Sequence, residues 1–345
     1  MCSLVQVDWT KPTCNQRRAD SLSNLLNEPP HMLTDTPGIH HITGIVRDAQ
    51  TNVNFYTDVL GLRLIKQTVN FNEKFTRHLF YGDETGSPGT GLTFFPYPAE
   101  NDGRIGKPQI STAALVIPPN SVSYWRDRLV EHDVAVTGPT ERFDETVLRV
   151  SDPDGTKLEL VTGDSSVTPW ADGPVPTQHA IRGIFGVTLL STNIFVTASV
   201  LETLGFELLE QAGDRVRYRA PGDRATVIDL LDRDVEFGRE GAGSIHHVAV
   251  RVPEKEQLYE WHDLFREREY DVSRVKDRHF FHSLYVREPG GILFELATEQ
   301  PGLTADADLD TLGQSLFLPP WLEEDREMIE GQLQPLELPS APETN

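Results

Sequence analysis

The chain has 345 residues, 38% hydrophobic and 24% charged, which fits a globular protein with a substantial core. Its formal net charge of -22 would repel a polyanion, so no nucleic-acid partner is expected. No run approaches the roughly 18 apolar residues of a membrane span, and the two cysteines, Cys2 and Cys14, both lie in the leading segment, so neither a membrane anchor nor a disulfide framework is expected.

Residues 1–36 are polar and interrupted by proline, and they read as a poorly ordered extension without the apolar run of a secretory leader. The expected location is cytoplasmic. Seven Lys against twenty-four Arg, with 53 acidic residues, is a balance suited to concentrated salt, where self-repulsion is screened.

From residue 37 one pattern recurs four times: a strand, a helix and three strands. In the first unit IHHITGIV alternates as a strand, and Asp48 to Leu60 is a helix with Val53, Tyr56 and Leu60 on one face and Gly61 as its stop. RLIKQTVNF, TRHLFYGD and GTGLTFFPY follow as strands. The second unit runs from QISTAALVIP to KLELVTG, the third from IRGIFGVTLL to ATVIDLLD, and the fourth from SIHHVAVRVP to ILFELAT. GIHHITGIV resembles SIHHVAVRV, and SDPDGTKLELVT resembles REPGGILFELAT. Such repeats decide the architecture. Single units cannot bury a sheet face alone, so the expectation is an α+β fold of four βαβββ units paired into two open eight-stranded barrels. The units fall into domains at 37–163 and 180–299, followed by a C-terminal segment at 300–345 with a disordered tail. In that segment Trp321 is expected to anchor the chain on the core.

Neighbouring side chains of a strand face opposite ways. One face of the first strand carries Ile39, His41, Thr43 and Ile45; in the fourth unit His247, Ala249 and Arg251 share a face, and on the last strand Glu295 and Ala297 do. The opposite faces, with Val248, Val250, Phe294 and Leu296, suit packing under helices. His41, His247 and Glu295 therefore point into a cavity. A carboxylate in the middle of ILFELAT needs a partner, because burying it alone costs several kcal/mol or more. Two imidazoles and one carboxylate form the facial triad of non-haem Fe(II) oxygenases, with Mn(II) as an alternative metal.

At these residues the sequence resembles the vicinal oxygen chelate superfamily, and within it the ring-cleaving dioxygenases of the hydroquinone type. The resemblance runs from about residue 37 to 330 and is carried by GIHHIT, NFYTDVLGLRLIKQTVNF, HLFYGDETGSPGT, SIHHVAVRVP, DRHFFHSLYVREPGGILFELAT and LFLPPWLE. It implies an Fe(II) site at His41, His247 and Glu295 that opens an aromatic diol with O2. It also implies supporting roles for Thr43, Arg278 and Tyr285, and proton transfer by His40 and His246, although strand parity points those two histidines away from the cavity. Arg278 would steady a phenolate, and Tyr285 would hydrogen-bond the substrate. The third unit opens with IRGIFGVTLL and offers no histidine, so units one and four are expected to form the metal-bearing barrel. A homo-oligomer is compatible with this reading. His78 could approach the site or serve as a plain strand residue, and Glu159, whose unit lacks a histidine pair, reads as structural.

Three other functions compete. A catechol-type extradiol dioxygenase differs only in the ring it opens. A glyoxalase-type isomerase wants a fourth ligand, an acid on the last strand of the partner unit, and GLTFFPY has none. A non-catalytic binding module would need the cavity but no redox metal.

Overall fold

The computed structural model describes residues 33–338, so the expectations for residues 1–32 and 339–345 lie outside it. The first unit consists of β1 (Ile39–Val46), α1 (Ala49–Asn54), β2 (Arg63–Asn70), β3 (Glu73–Gly82) and β4 (Gly91–Pro96). Asp48 caps α1 by accepting from the Thr51 N–H at 2.7 Å. The helix widens into a π-type turn over Phe55–Val59. Val53, Tyr56 and Leu60 are buried on one face, and Gly61 ends the helix at φ +68°.

The second unit holds β5 (Gln109–Ile117), α2 (Val122–Glu131), β6 (Thr137–Arg142), β7 (Glu145–Ser151) and β8 (Lys157–Thr162). The third holds β9 (Ile184–Leu190), α3 (Ile194–Thr203), β10 (Glu207–Ala212), β11 (Arg215–Arg219) and β12 (Val227–Leu231). The fourth holds β13 (Ser244–Val252), α4 (Lys255–Glu267), two short pieces β14 (Asp271–Val272) and β15 (Lys276–Asp277), β16 (His282–Arg287) and β17 (Leu293–Thr298).

Strands of the first and fourth units run side by side in the order β2-β3-β4-β1-β13-β17-β16, with β14 and β15 along the outer edge of β16. Strands of the second and third units run β6-β7-β8-β5-β9-β12-β11-β10. One residue pair, Ile245 with Ile110, stitches the two arrays into a single 17-stranded mixed sheet.

The expected barrels are not formed, because the sheet does not close. Among the described residues no ladder joins β2 to β16 or β6 to β10. Closure requires the outermost strands to meet in register. Here the free edge of β2 is taken by the C-terminal segment instead: Leu316 bridges Gln67, and the Phe317 N–H donates to the Gln67 carbonyl at 2.9 Å. That contact covers an edge that would otherwise expose unpaired backbone groups. Trp321, half exposed, meets Phe71 edge to face at 5.7 Å.

Val248, Val250, Phe294 and Leu296 pack in one cluster with Trp261 and Phe265 of α4, as their strand parity requires. The opposite, concave face of β1, β13 and β17 is left to carry polar groups. No helix among the described residues is long and apolar enough to cross a membrane.

Candidate metal centre

β1 and β13 lie antiparallel at the middle of their array, with Thr43 opposite His247, while β17 runs parallel to β13 and sets Glu295 beside Ala249. His41, His247 and Glu295 are all buried, and one ligand atom from each lies within 4.8 Å of the other two. Nε2 of His41 and Nε2 of His247 stand 3.1 Å and 2.9 Å from the same oxygen of Glu295.

Despite those distances, His247 Nε2 and both Glu295 oxygens have no aligned hydrogen-bond partner. Their lone pairs converge on a shared point rather than on each other's hydrogens. A divalent cation at that point satisfies all of them. Two donors about 2.1 Å from one metal and at a right angle to each other lie about 3 Å apart, which is the spacing present here. The residues therefore fit the metal, and two imidazoles with one carboxylate suit Fe(II) and leave adjacent positions open. Burial pushes the Glu295 carboxyl up, but His41 and His247 beside it more than offset that and hold it well below its ordinary value. Burial holds His247 down at about 4, so at neutral pH its ring is the neutral form that ligates a metal.

Behind each histidine ligand stands its chain neighbour. Nδ1 of His40 is 2.9 Å from Nδ1 of His41, and Nδ1 of His246 is 2.7 Å from Nδ1 of His247. Strand parity alone would send each neighbour to the far face, and the structure corrects that expectation. The register of β1 against β13 slips at two places, from Ile39/Val250 to His41/Ala249 and from Thr43/His247 to Gly44/Ile245. The extra residues at these bulges are His40 and His246. A bulge re-aims its residue, and here it turns both rings back toward the ligands. A ligand bound through Nε2 carries its proton on Nδ1, so His41 and His247 donate and their neighbours accept. His246 then keeps its own proton on Nε2, 3.8 Å from Glu240.

The triad opens on a narrow cavity of about 40 Å³ whose walls include Arg278, Tyr285, His246, His78 and several phenylalanines. Tyr285 pairs with Glu295 across the β16–β17 ladder, and its ring meets His247 edge-on at 5.4 Å. Burial pushes its hydroxyl up, so it stays protonated. Arg278 donates to that hydroxyl at 3.2 Å.

Thr43 and His40 do not reach the cavity wall. The Thr43 hydroxyl instead lies 2.8 Å from that of Thr93, which meets His78 Nε2 at 2.9 Å. The wall also holds residues that sequence reasoning left in the background: His78, Phe80, Phe95, Phe280 and Phe281. The signal for His78 and Phe80 was their shared parity on β3, with His78 two positions before an aromatic.

The second array repeats this frame with different residues. Its central pair β5–β9 carries the same two bulges, at Ser111 and Phe185. By register, Thr112 and Gly186 stand where His41 and His247 stand, and Asp229 where Glu295 stands. Glu159 occupies the place of Thr93. Each of these acids is held by two arginines: Glu159 by Arg142 at 2.6 Å and Arg149 at 3.2 Å, and Asp229 by Arg215 at 2.7 Å and Arg217 at 2.8 Å. Glu159 is thus a paired structural acid.

Residues 38–160 and 201–296 match the Glyoxalase/Bleomycin resistance protein/Dioxygenase superfamily. A Bacillus subtilis (strain 168) protein described as "Putative ring-cleaving dioxygenase MhqO" is 42% identical over 309 residues, covering 89% of this chain and 99% of its own. The chlorohydroquinone/hydroquinone 1,2-dioxygenase of Sphingobium indicum is 33% identical over 297 residues, covering 83% and 92%. A crystal structure of a "putative dioxygenase" from Bacillus subtilis superposes with a TM-score of 0.86 at 42% identity, over 89% of this chain and 99% of that one. With its metal-coordinating His/His/Glu triad, the chain belongs to the Glyoxalase/Bleomycin resistance protein/Dioxygenase superfamily, as one of its Fe(II)-dependent ring-cleaving dioxygenases.

Proposed function

We propose that the substrate is a hydroquinone-type aromatic diol, which the enzyme opens with O2. One observation carries the reading: donor atoms of His41, His247 and Glu295, with His247 Nε2 and both Glu295 oxygens lacking a hydrogen-bond partner, converge at the floor of a cavity walled by aromatic rings and one arginine. The likeness to a chlorohydroquinone/hydroquinone 1,2-dioxygenase supports the ring type. His41, His247 and Glu295 would hold Fe(II), which would supply the Lewis acidity that favours an ionised substrate hydroxyl and the redox capacity the reaction needs.

The chain's own residues prepare the reactants. The phenylalanines of the wall hold the ring and exclude water. Arg278 cannot lose its proton, so it offers a permanent cation to the substrate oxygen as that oxygen ionises. The protonated Tyr285 hydroxyl, held by Arg278, donates a hydrogen bond to the same region. His246 lines the cavity with its Nδ1 committed to His247 and its Nε2 protonated, so it fixes the ligand ring and offers a hydrogen-bond donor rather than a base. His40 and Thr43 act one layer back, His40 on the ligand ring and Thr43 through Thr93. An isomerase would need a fourth acidic ligand, and Thr93 stands at the register position that an acid would occupy.

The site draws on both halves of the chain, 37–163 and 180–299, so neither forms it alone. The partners are the diol and O2; the acidic chain disfavours nucleic acid, and a cytoplasmic location with self-association suits the reading. The test is anaerobic Fe(II) loading followed by O2 uptake with hydroquinone and catechol side by side. Uptake should be faster with hydroquinone and vanish in His41→Ala. Intact uptake in that variant refutes the proposal, and Mn(II) loading in parallel identifies the working metal.

A further inference from the structure

The second array encloses a cleft of about 660 Å³, well within the size of a small-molecule site, in the place that the metal cavity occupies in the first. The cleft cannot hold a metal in the same way, because Thr112 and Gly186 replace the histidines and both acids are already bound by arginines. What it offers instead is cationic.

Arg215 forms part of its floor, with a side chain only 15% exposed. Nη1 of Arg215 donates to Thr188 at 3.1 Å and to Asp229 at 2.7 Å. Its Nε and Nη2 donate to no described residue, and neither is sealed away from open space. Two of three guanidinium nitrogens thus face the cleft unused. Arg149 spends Nε on Glu159 and Nη1 on Thr140, which leaves its Nη2 over the same space. Lys157 lines the rim and, among the described residues, donates to the Ser151 hydroxyl alone, at 2.9 Å.

The balance of charge points the same way. Four arginines of the floor network, Arg142, Arg149, Arg215 and Arg217, face four acids, Glu145, Glu159, Glu210 and Asp229. Lys157 adds a further cation, while Arg233 at the rim is matched by Asp214. In a chain of net charge -22 this is a local excess of positive charge. Burial, and then the nearby Arg142 cation, weigh against the Arg215 charge more than Asp229 and Glu159 support it. The upper walls are apolar, with Ile105, Leu190, Leu231 and Val235.

We propose that this cleft binds a small apolar carboxylate, its charge on Arg215 and Arg149 and its hydrocarbon body against the apolar walls. The inference is independent of the diol reading, since it uses no residue of the metal centre. Calorimetric titration of the Fe(II)-loaded full chain with benzoate, against its neutral isostere benzamide, tests it. Saturable 1:1 binding of benzoate is expected, at least about 10-fold tighter than benzamide. Arg149→Gln, at a half-exposed position, should weaken benzoate at least 10-fold, and Arg215→Gln should do the same. Neither should change metal content or O2 uptake. Equal binding of benzamide, displacement of benzoate by hydroquinone, absence of saturation, or undiminished binding in Arg149→Gln each overturns the proposal. If Arg215→Gln does not fold, Arg149→Gln decides alone.

Discussion

Five histidines crowd the metal centre, and acid should destabilise the metal-free protein through four of them. Burial, with the His41 ring beside it, holds His40 down at about 3, and burial holds His247 at about 4 against the pull of Glu295. His246 and His78 are pushed down by burial too. In the unfolded chain each takes up its proton near pH ~6.5. Between the two values the unfolded state carries a proton that the folded state refuses. The stabilisation is therefore present above about pH 6.5 and is lost as pH falls toward the folded value. Each such histidine contributes about 1.4 kcal/mol per pH unit across its window. His247 and His40 each account for several kcal/mol, on the order of 3–5, when their windows are crossed. Those amounts rival the whole stability of a domain, about 5–15 kcal/mol.

The assay is urea unfolding in a chelator at about pH 6.5, 6.0, 5.5 and 5.0, above most of the range where carboxylates titrate. Asp152 and Glu288, pushed up by burial, oppose the effect as they protonate at the lower end. Stability should fall by about 2 kcal/mol per pH unit or more, the share of the two strongest histidines over a range that begins at their unfolded pKa. His40→Gln removes one proton site and should shallow the slope by about 1 kcal/mol per pH unit. A wild-type slope below that value, or an unchanged slope in His40→Gln, refutes the picture of neutral histidines held in place for a metal.

His246→Phe removes the 2.7 Å contact to His247 Nδ1 and should weaken Fe(II) about 10- to 100-fold in a competition titration, with the fold intact. Arg278→Lys keeps the cation but loses the planar fork over Tyr285. At full metal content, kcat with hydroquinone should drop at least about 10-fold, and an unchanged kcat would remove Arg278 from the reaction. Asp306 accepts from Lys66 at 2.7 Å and His279 at 2.9 Å and so ties the C-terminal segment to β2 and the cavity rim. Asp306→Ala leaves the buried Lys66 cation resting only on the Phe280 and Phe317 rings. It should cost about 2 kcal/mol and speed proteolysis within residues 301–334.

The triad was legible because a two-residue period marks one face of a strand, and His41, His247 and Glu295 stand out on faces otherwise small or apolar. The roles of His40 and His246 were not, because a bulge is set by how two strands align. IHHITGIV and SIHHVAVRV each read as unbroken alternation, and only their mutual register shows the extra residue. Closure of the sheet was equally hidden. It depends on what lies along β2, and the residues that take that edge, Gly313 to Phe317, come from a segment with no strand pattern of its own. Glu159 could be read as structural from the missing histidines. Its arginine partners were visible only as polar positions on β6 and β7, since a side-chain ion pair needs the fold to bring its members together.

Glu159 and Glu295 turn that last point into a measurement. Both carboxylates are buried on the concave face of the sheet, on strands of the same kind, and their neighbours give them opposite roles. Glu159 is saturated by Arg142 and Arg149, so Glu159→Gln leaves two guanidinium groups facing each other. Arg149 is partly solvated, so the expected loss is about 2–3 kcal/mol, below that of a fully buried pair. Metal content should not change. Glu295→Gln removes a metal donor while leaving its side-chain volume in place, so metal should be lost and the fold retained. Thermal unfolding with and without Fe(II) separates the two. A metal at 100 times its dissociation constant adds about 2.7 kcal/mol, which Glu159→Gln should keep on top of a lower baseline and Glu295→Gln should lose. If Fe(II) stabilises Glu295→Gln as much as the wild type, the donors are not those three residues, and the bulged histidines, His40 and His246, become the next ligands to test.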